Sequence, residues 1–337
     1  MRSVHGRPWE SNGFDPPEKS LIAKNGGGIK VMVGKRNASR AFTLVELLVV
    51  ISVIALLISI LLPSLNRARQ QSRSVQCLTN LRQLAYGWHM YADDNNDIVL
   101  PGRFFKAPGG TSSEANWYHI GSGLKYRPRW VATLGKYVGI FAFDTPSTSD
   151  DRQDYDSKVY QCPTVPDWID ERNYAYGYNH QFLGNARKSN DAFHNFPVNR
   201  STIRNFSTTV LGGDCLGTAA GVPKANRLPY ANGGTSDFEL GNHGWTLDPP
   251  RLTPNSDRGT GDPGSTRTAV DPRHLDKANV TFCDGHGETA SPQALGYRVL
   301  ADGSFADANA GVDQGLPTNR FFSGTGKDLD PPALPGS

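Results

Sequence analysis

The residues able to do chemistry fall into four groups along this 337-residue chain. Glu46 is the one charge in the apolar run 42–62. A carboxylate held in lipid costs at least about 2.5 kcal/mol, so its position calls for a partner and a purpose. His274, Asp284, Gly285 and His286 lie in "HLDKANVTFCDGH", near the far end. Four cysteines, Cys77, Cys162, Cys215 and Cys283, are widely spread, and an acidic cluster, "DDNND", occupies 93–97.

Each group has a plainer reading beside the chemical one. His274, Asp284 and His286, with Asp214, supply the residue types of a metal or catalytic site, but no G-x-S-x-G or H-E-x-x-H motif accompanies them. The simpler expectation is that His274 and Asp284 bind loop backbone and fix the end of a sheet. The cysteines show no CxxC pair and no Cys/His cluster at zinc spacing, which argues against a structural zinc site. In an exported body, four cysteines allow two disulfides in one of three connectivities. Asp93, Asn95 and Asp97 share the first ligand spacings of an EF-hand loop, yet Ile98 replaces its glycine and Phe104 its bidentate glutamate. A helix-ending polar turn is the better reading there; calcium is the only cofactor the spacing admits, and no metal site is assigned.

The elements that position these residues are legible in outline. Phe42 to Leu62 would span about 32 Å as a helix, enough for a hydrocarbon core of about 30 Å. Apolar or small residues continue at helical spacing through Leu65, Ala68, Ser72, Val75, Leu78, Leu81, Ala85 and Trp88. One helix of about 50 residues, bent near Pro63 and ending at "DDNND", accounts for both halves. From about 102 the texture changes to short runs between Gly, Pro, Asn and Asp. Trp130–Leu134, Lys158–Cys162, Thr208–Leu211 and Ala278–Cys283 read as strands, and Asp284–Gly285 as a hairpin turn. The expected division is a leader at 1–41 (with Met32 as a second candidate start), a membrane half-helix at 42–62 and an amphipathic half-helix at 63–95. A β-rich body at 96–325 and a flexible tail at 326–337 complete it. Mean hydropathy of -0.47 marks the remainder as water-loving, and a formal charge of +3 gives no support for nucleic-acid binding.

The segment "AFTLVE", Ala41 to Glu46, resembles the processing site of type IV prepilins and type II secretion pseudopilins. The resemblance implies cleavage between Ala41 and Phe42 by a prepilin peptidase, then N-methylation of Phe42. Glu46 becomes the fifth mature residue and Pro63 the twenty-second, where many such proteins also carry proline. Cleavage creates an amine four residues from Glu46, on the same helix face. In the family this glutamate is thought to pair with a neighbouring subunit's amine and set axial register. Ala41 stands where the family usually has Gly, which implies slower processing. Lys35, Arg36 and Arg40 are nearly balanced by Arg67, Arg69 and Arg73, so charge does not set orientation. The motif places the leader in the cytoplasm and the body outside the inner membrane.

The spacing from His274 to Asp284–Gly285 resembles the His-X9-Asp-Gly module that ends many prepilin-type proteins. "QCLTNLRQLAYGWHMYADDNND", "YQCP", "YAYGYNH" and "TTVLGGDC" are further landmarks of that group. Cys77 and Cys162 fall on landmarks, and Cys215 and Cys283 each end a strand-like run next to an Asp, which suggests Cys77–Cys162 and Cys215–Cys283 as disulfides; four reduced or independently buried thiols are the alternative. The resemblance implies an α+β, pilin-like fold: a long transmembrane-to-periplasmic helix packed on an antiparallel sheet with long loops. It also implies a non-enzymatic subunit that assembles with other pilin-like subunits on an inner-membrane platform. The second reading is a membrane-tethered envelope binding protein or hydrolase that uses the helix only for export.

Overall fold

In the computed structural model, the described residues are 42–333, apart from 166–169, 190–191, 232, 254–255, 258–266 and 307–312. The chain divides into two compact units, Met1–Leu56 and Leu57–Ser337. Helix α1, Leu44–Asp94, begins in the first and ends in the second. It is long and apolar enough to cross a membrane, with a mean hydropathy of 3.0 over its most apolar window.

Within the first unit the apolar side chains are exposed on every face, from Val45 to Leu56. A helix apolar all round is suited to lipid or to a bundle of like helices, not to water. Pro63, in the second unit, lies inside α1. It has no amide hydrogen to donate one turn back, which the neighbouring turns tolerate.

In the second unit the buried side of α1 is narrower than the sequence pattern suggests. Cys77, Leu81, Leu84, Ala85, Trp88 and Ala92 are sealed, whereas Leu65 and Val75 remain exposed. The sheet that receives this stripe has four antiparallel strands in the order β3-β6-β7-β8. Its members are β3 Gly177–Tyr178, β6 Val210–Gly213, β7 Ala278–Phe282 and β8 Gly287–Ala290. Two separate hairpins pair β1 Trp117–His119 with β2 Leu124–Tyr126, and β4 Asn185–Ser189 with β5 Ala192–Phe196. The fold is therefore α+β: a long apolar helix followed by an antiparallel β-sheet body.

Aromatic residues fill the space beneath α1. Trp88 Nε1 donates to the Tyr178 hydroxyl at 3.0 Å, and that hydroxyl donates to Leu100 O at 2.6 Å. Trp130 lies 5.1 Å from the Tyr178 ring and donates to Tyr176 O. Two expected strands are helical instead. Trp130–Thr133 forms α2 and Gly135–Val138 forms α3, while Lys158–Tyr160 is a 3-10 turn capped by Ser157. All four residues of α2 are buried, and a short run sealed on every side has no period to tell strand from helix. β7 forms where expected, whereas β6 starts two residues later than expected, because Phe206–Thr208 is a 3-10 turn. α4, His180–Leu183, follows β3 directly.

The remaining ends are fixed by backbone conformation and by charge. Asn96 and Asp97 adopt left-handed φ of 52° and 64° and stop α1. Within the stretch expected to be a flexible tail, Asp328 and Asp330 each lie 2.8 Å from Arg251.

Candidate functional site

At the amino end, Thr43 precedes α1 and Glu46 occupies its third position. Glu46 Oε2 accepts from Thr43 N at 2.9 Å and from Thr43 Oγ1 at 2.8 Å. Glu46 N donates in return to Thr43 Oγ1 at 3.2 Å. This is a reciprocal capping box, which satisfies amides that the first turn would otherwise leave unpaired. Its T-x-x-E signature, Thr43 to Glu46, is legible in the sequence, so the carboxylate has a local capping role besides its charge. Phe42, beside the expected cleavage point, is 67% exposed. Ala41 lies outside the described residues.

At the other end the structure divides the His-Asp-Gly motif. His274 and Lys277 exchange backbone hydrogen bonds at 2.9 and 3.1 Å across Leu275 and Asp276, both at positive φ. This tight turn leads into β7. Asp284 and Gly285 lie in the turn beyond the opposite end of β7, where Gly285 has φ of 91° and its N–H donates to Phe282 O. His286 Nδ1 is 2.6 Å from Asp284 Oδ1, and its ring stacks on Phe282 with centroids 4.3 Å apart. The nine-residue spacing thus measures one strand and its two turns. Asp284 and His286 are partly exposed and do not join His274.

His274 instead enters a buried cluster with Cys77, Cys162 and Asp214, whose ligand atoms all lie within 4.8 Å of one another. Cys77 Sγ is 3.4 Å from Asp214 Oδ1, Cys162 Sγ 3.3 Å from His274 Nε2, and His274 Nε2 3.2 Å from Asp214 Oδ2. Four elements contribute. Cys77 comes from α1 and Cys162 from the loop after the 158–160 turn. Asp214 follows β6, and His274 belongs to the turn before β7. At the edge of the β6–β7 pair Asp214 N donates to Asn279 O at 2.9 Å, and Asn279 N donates in return to the Asp214 side chain, at Oδ2, 2.9 Å away. Asn279 Nδ2 donates to Ser74 O on α1, while Asn80 Nδ2 donates to Gln161 O and holds the Cys162 loop to the same helix.

The four groups of the cluster set one another's charge. Burial opposes the Cys162 thiolate, but hydrogen bonding with Cys77 and His274 and the Arg273 charge bring its pKa down to about 6. Burial likewise opposes the His274 imidazolium, yet Asp214 and Cys162 raise its pKa to about 9. Cys77 is pushed well up by burial, Cys162 and Asp214. Burial penalises the Asp214 carboxylate, and Arg273, His274 and the Asn279 amide more than offset that.

All four cysteines are free and buried, so neither suggested disulfide is present. Cys77 and Cys162 are neighbours as thiols. Cys215 and Cys283 lie beyond opposite ends of the antiparallel β6–β7 pair, in which Val210 faces Phe282 and Gly213 faces Val280. At about 3.4 Å per residue that separation is far beyond the roughly 7 Å a disulfide can bridge. Cys215 Sγ donates to Thr246 O at 3.0 Å instead.

The 93–97 segment holds an arginine: Arg200 lies 2.7 Å from Asp93 and 2.6 Å from Asp97. A second concentration of charge, missed in the sequence, surrounds His243. Burial and the nearby Arg129, Arg152, Arg172 and Arg103 bring its pKa down to about 3. Arg129 itself packs over Trp245 at 4.5 Å.

The family model for the prokaryotic N-terminal methylation motif matches residues 36–62. The chain carries a prepilin-type amino terminus. Together with the apolar, outward-facing helix, this makes the segment a single-pass membrane anchor of the pilin and pseudopilin type. Neither the curated proteins nor the solved structures include a match to the chain.

Proposed function

We propose that the protein is a pilin-like subunit, cleaved between Ala41 and Phe42 by a prepilin peptidase, N-methylated at Phe42, and assembled through α1 into a fibre. The observation that carries this reading is the methylation motif at 36–62, placed on a helix whose apolar side chains face outward on all sides. Cleavage would put a cationic amine at Phe42, beside a helix amino terminus whose dipole disfavours positive charge. Glu46, already held over that first turn by Thr43, supplies the compensating charge. In a packed fibre the same carboxylate would serve a neighbour's amine, with α1 in the fibre interior and the body outside. The module from His274 to Glu288 then belongs to the exported body of a type II secretion or type IV pilus-like system.

The capping box makes a sharp test available. Glu46→Gln keeps a hydrogen-bond acceptor at the capping position and removes only the charge. Thr43→Ala removes the cap, at a cost of about 0.5–2 kcal/mol to the helix, and leaves the charge. Sheared surface fractions and crosslinked membranes should show multimers with Thr43→Ala but none with Glu46→Gln. Normal multimers of Glu46→Gln would mean that Glu46 is a cap and nothing more.

A further inference from the structure

We propose that Cys77, Cys162, Asp214 and His274 bind one zinc ion in a closed, structural site. The geometry carries the assignment. With Zn–S of about 2.3 Å and Zn–N or Zn–O of about 2.0–2.2 Å, a tetrahedral shell has sulfur-to-nitrogen and sulfur-to-oxygen edges near 3.5 Å and a nitrogen-to-oxygen edge near 3.4 Å. Here Cys162 Sγ and His274 Nε2 are 3.3 Å apart, Cys77 Sγ is 3.4 Å from Asp214 Oδ1 and His274 Nε2 3.2 Å from Asp214 Oδ2, and with one ligand atom from each residue all four lie within 4.8 Å of one another. Asp214 turns one oxygen toward Cys77 and the other toward His274, so one carboxylate can complete the shell from either side. Two thiolates with an imidazole suit zinc better than calcium or magnesium, which prefer oxygen ligands.

The surroundings resemble an outer ligand shell. His274 presents Nε2 to the cluster, while its Nδ1 is 3.5 Å from Thr164 Oγ1, which orients the ring. Asp214 is steadied by the Asn279 amide at 2.9 Å. Two thiolates, a carboxylate and a divalent ion leave one net negative charge. Arg273 Nε, 4.0 Å from Asp214 Oδ1, faces it and also pairs with Asp271 at 2.9 Å. All four ligand residues are at most 3% exposed, and four protein ligands leave no open position. The ion's work would be to join α1, the Cys162 loop and the β6–β7 pair, in a body whose central sheet is short.

The test uses full-length protein, extracted from membranes in mild detergent without chelator, with zinc measured against protein by mass spectrometry. The expected result is one zinc per chain, retained in Cys215→Ser. Cys162→Ser and His274→Gln should lose at least the roughly 10–100-fold in affinity that removing an outer-shell partner alone can cost. Because those variants could misfold, a second measurement uses the wild-type chain. Chelator should expose Cys77 and Cys162, and not Cys215 or Cys283, to alkylation, and added zinc should restore protection. A metal-free wild type with four hydrogen-bonded thiols, a mapped Cys77–Cys162 disulfide, labelling unchanged by chelator, or zinc that persists in both ligand variants would each overturn the assignment.

Discussion

The capping box at Thr43 and Glu46 and the buried quartet around Asp214 place their chemistry in opposite ways. The first is local: two side chains three residues apart, exposed, and held by the first turn of one helix. The second is assembled from positions 77, 162, 214 and 274, and exists only when helix, loop and sheet have closed on one another. A local motif can be recognised by a processing enzyme whatever the body does. A non-local one reports on the body and should be indifferent to the amino terminus. The two should therefore fail independently.

The largest effect is expected at the quartet. His274→Gln, or chelation of the wild type, should lower the stability of the body by about 3–5 kcal/mol, as removal of one member of a buried charged set typically does. Denaturant unfolding followed by tryptophan fluorescence measures this. Amino-terminal processing should be unchanged. If processing fell in step with stability, the independence of the two regions would be lost.

Next in size is Gly213→Ala, one residue before Asp214. A Cβ there would lie 2.5 Å from Asn279 O, so β6 and β7 would have to separate where they hold the carboxylate. The expected cost is about 1–3 kcal/mol, with weakened zinc retention. Unaltered metal content would show that the quartet does not depend on the close approach of these strands.

The arginine-rich region gives a pH signature of its own. His243 is neutral when folded, with its pKa brought down to about 3, whereas the unfolded chain takes up a proton near pH 6.5. Its contribution is therefore complete above about pH 6.5 and is lost as pH falls toward about 3. Between about pH 7 and pH 5 the loss should be about 2 kcal/mol. His243→Gln should remove that part of the slope in urea midpoints, and any pH effect on zinc common to both proteins cancels in the comparison. The smallest effect belongs to His286→Ala. Its partly exposed pair with Asp284 is worth about 0–1 kcal/mol, and zinc content should not change.

How much could be read in advance follows from the same contrast. The apolar run, Glu46, the stop at 93–97 and the alternation in 278–282 are short-range patterns, and α1, its end and β7 follow them. The four quartet residues were each visible, three of them as cysteine or histidine landmarks, but no short spacing links them. The zinc-spacing rule looks for ligand pairs within one loop, and here each ligand comes from a different element. The motif around His274 misled for a related reason. The strand β7 and its two turns carry Asp284 away from His274, while Asp214, sixty residues upstream in sequence, is brought beside it by the β6–β7 pairing. Trp130–Thr133 was ambiguous because burial on every side erases the period that would separate helix from strand.

The central claim is that this chain is matured as a prepilin, and the mature amino terminus in native membranes tests it most directly. Mass spectrometry of the terminal peptide should find N-methylated Phe42 as the first residue, with nothing from the leader attached. A terminus at Met1 or Met32, or an unmethylated cut elsewhere, would contradict the account and leave α1 as an ordinary membrane anchor.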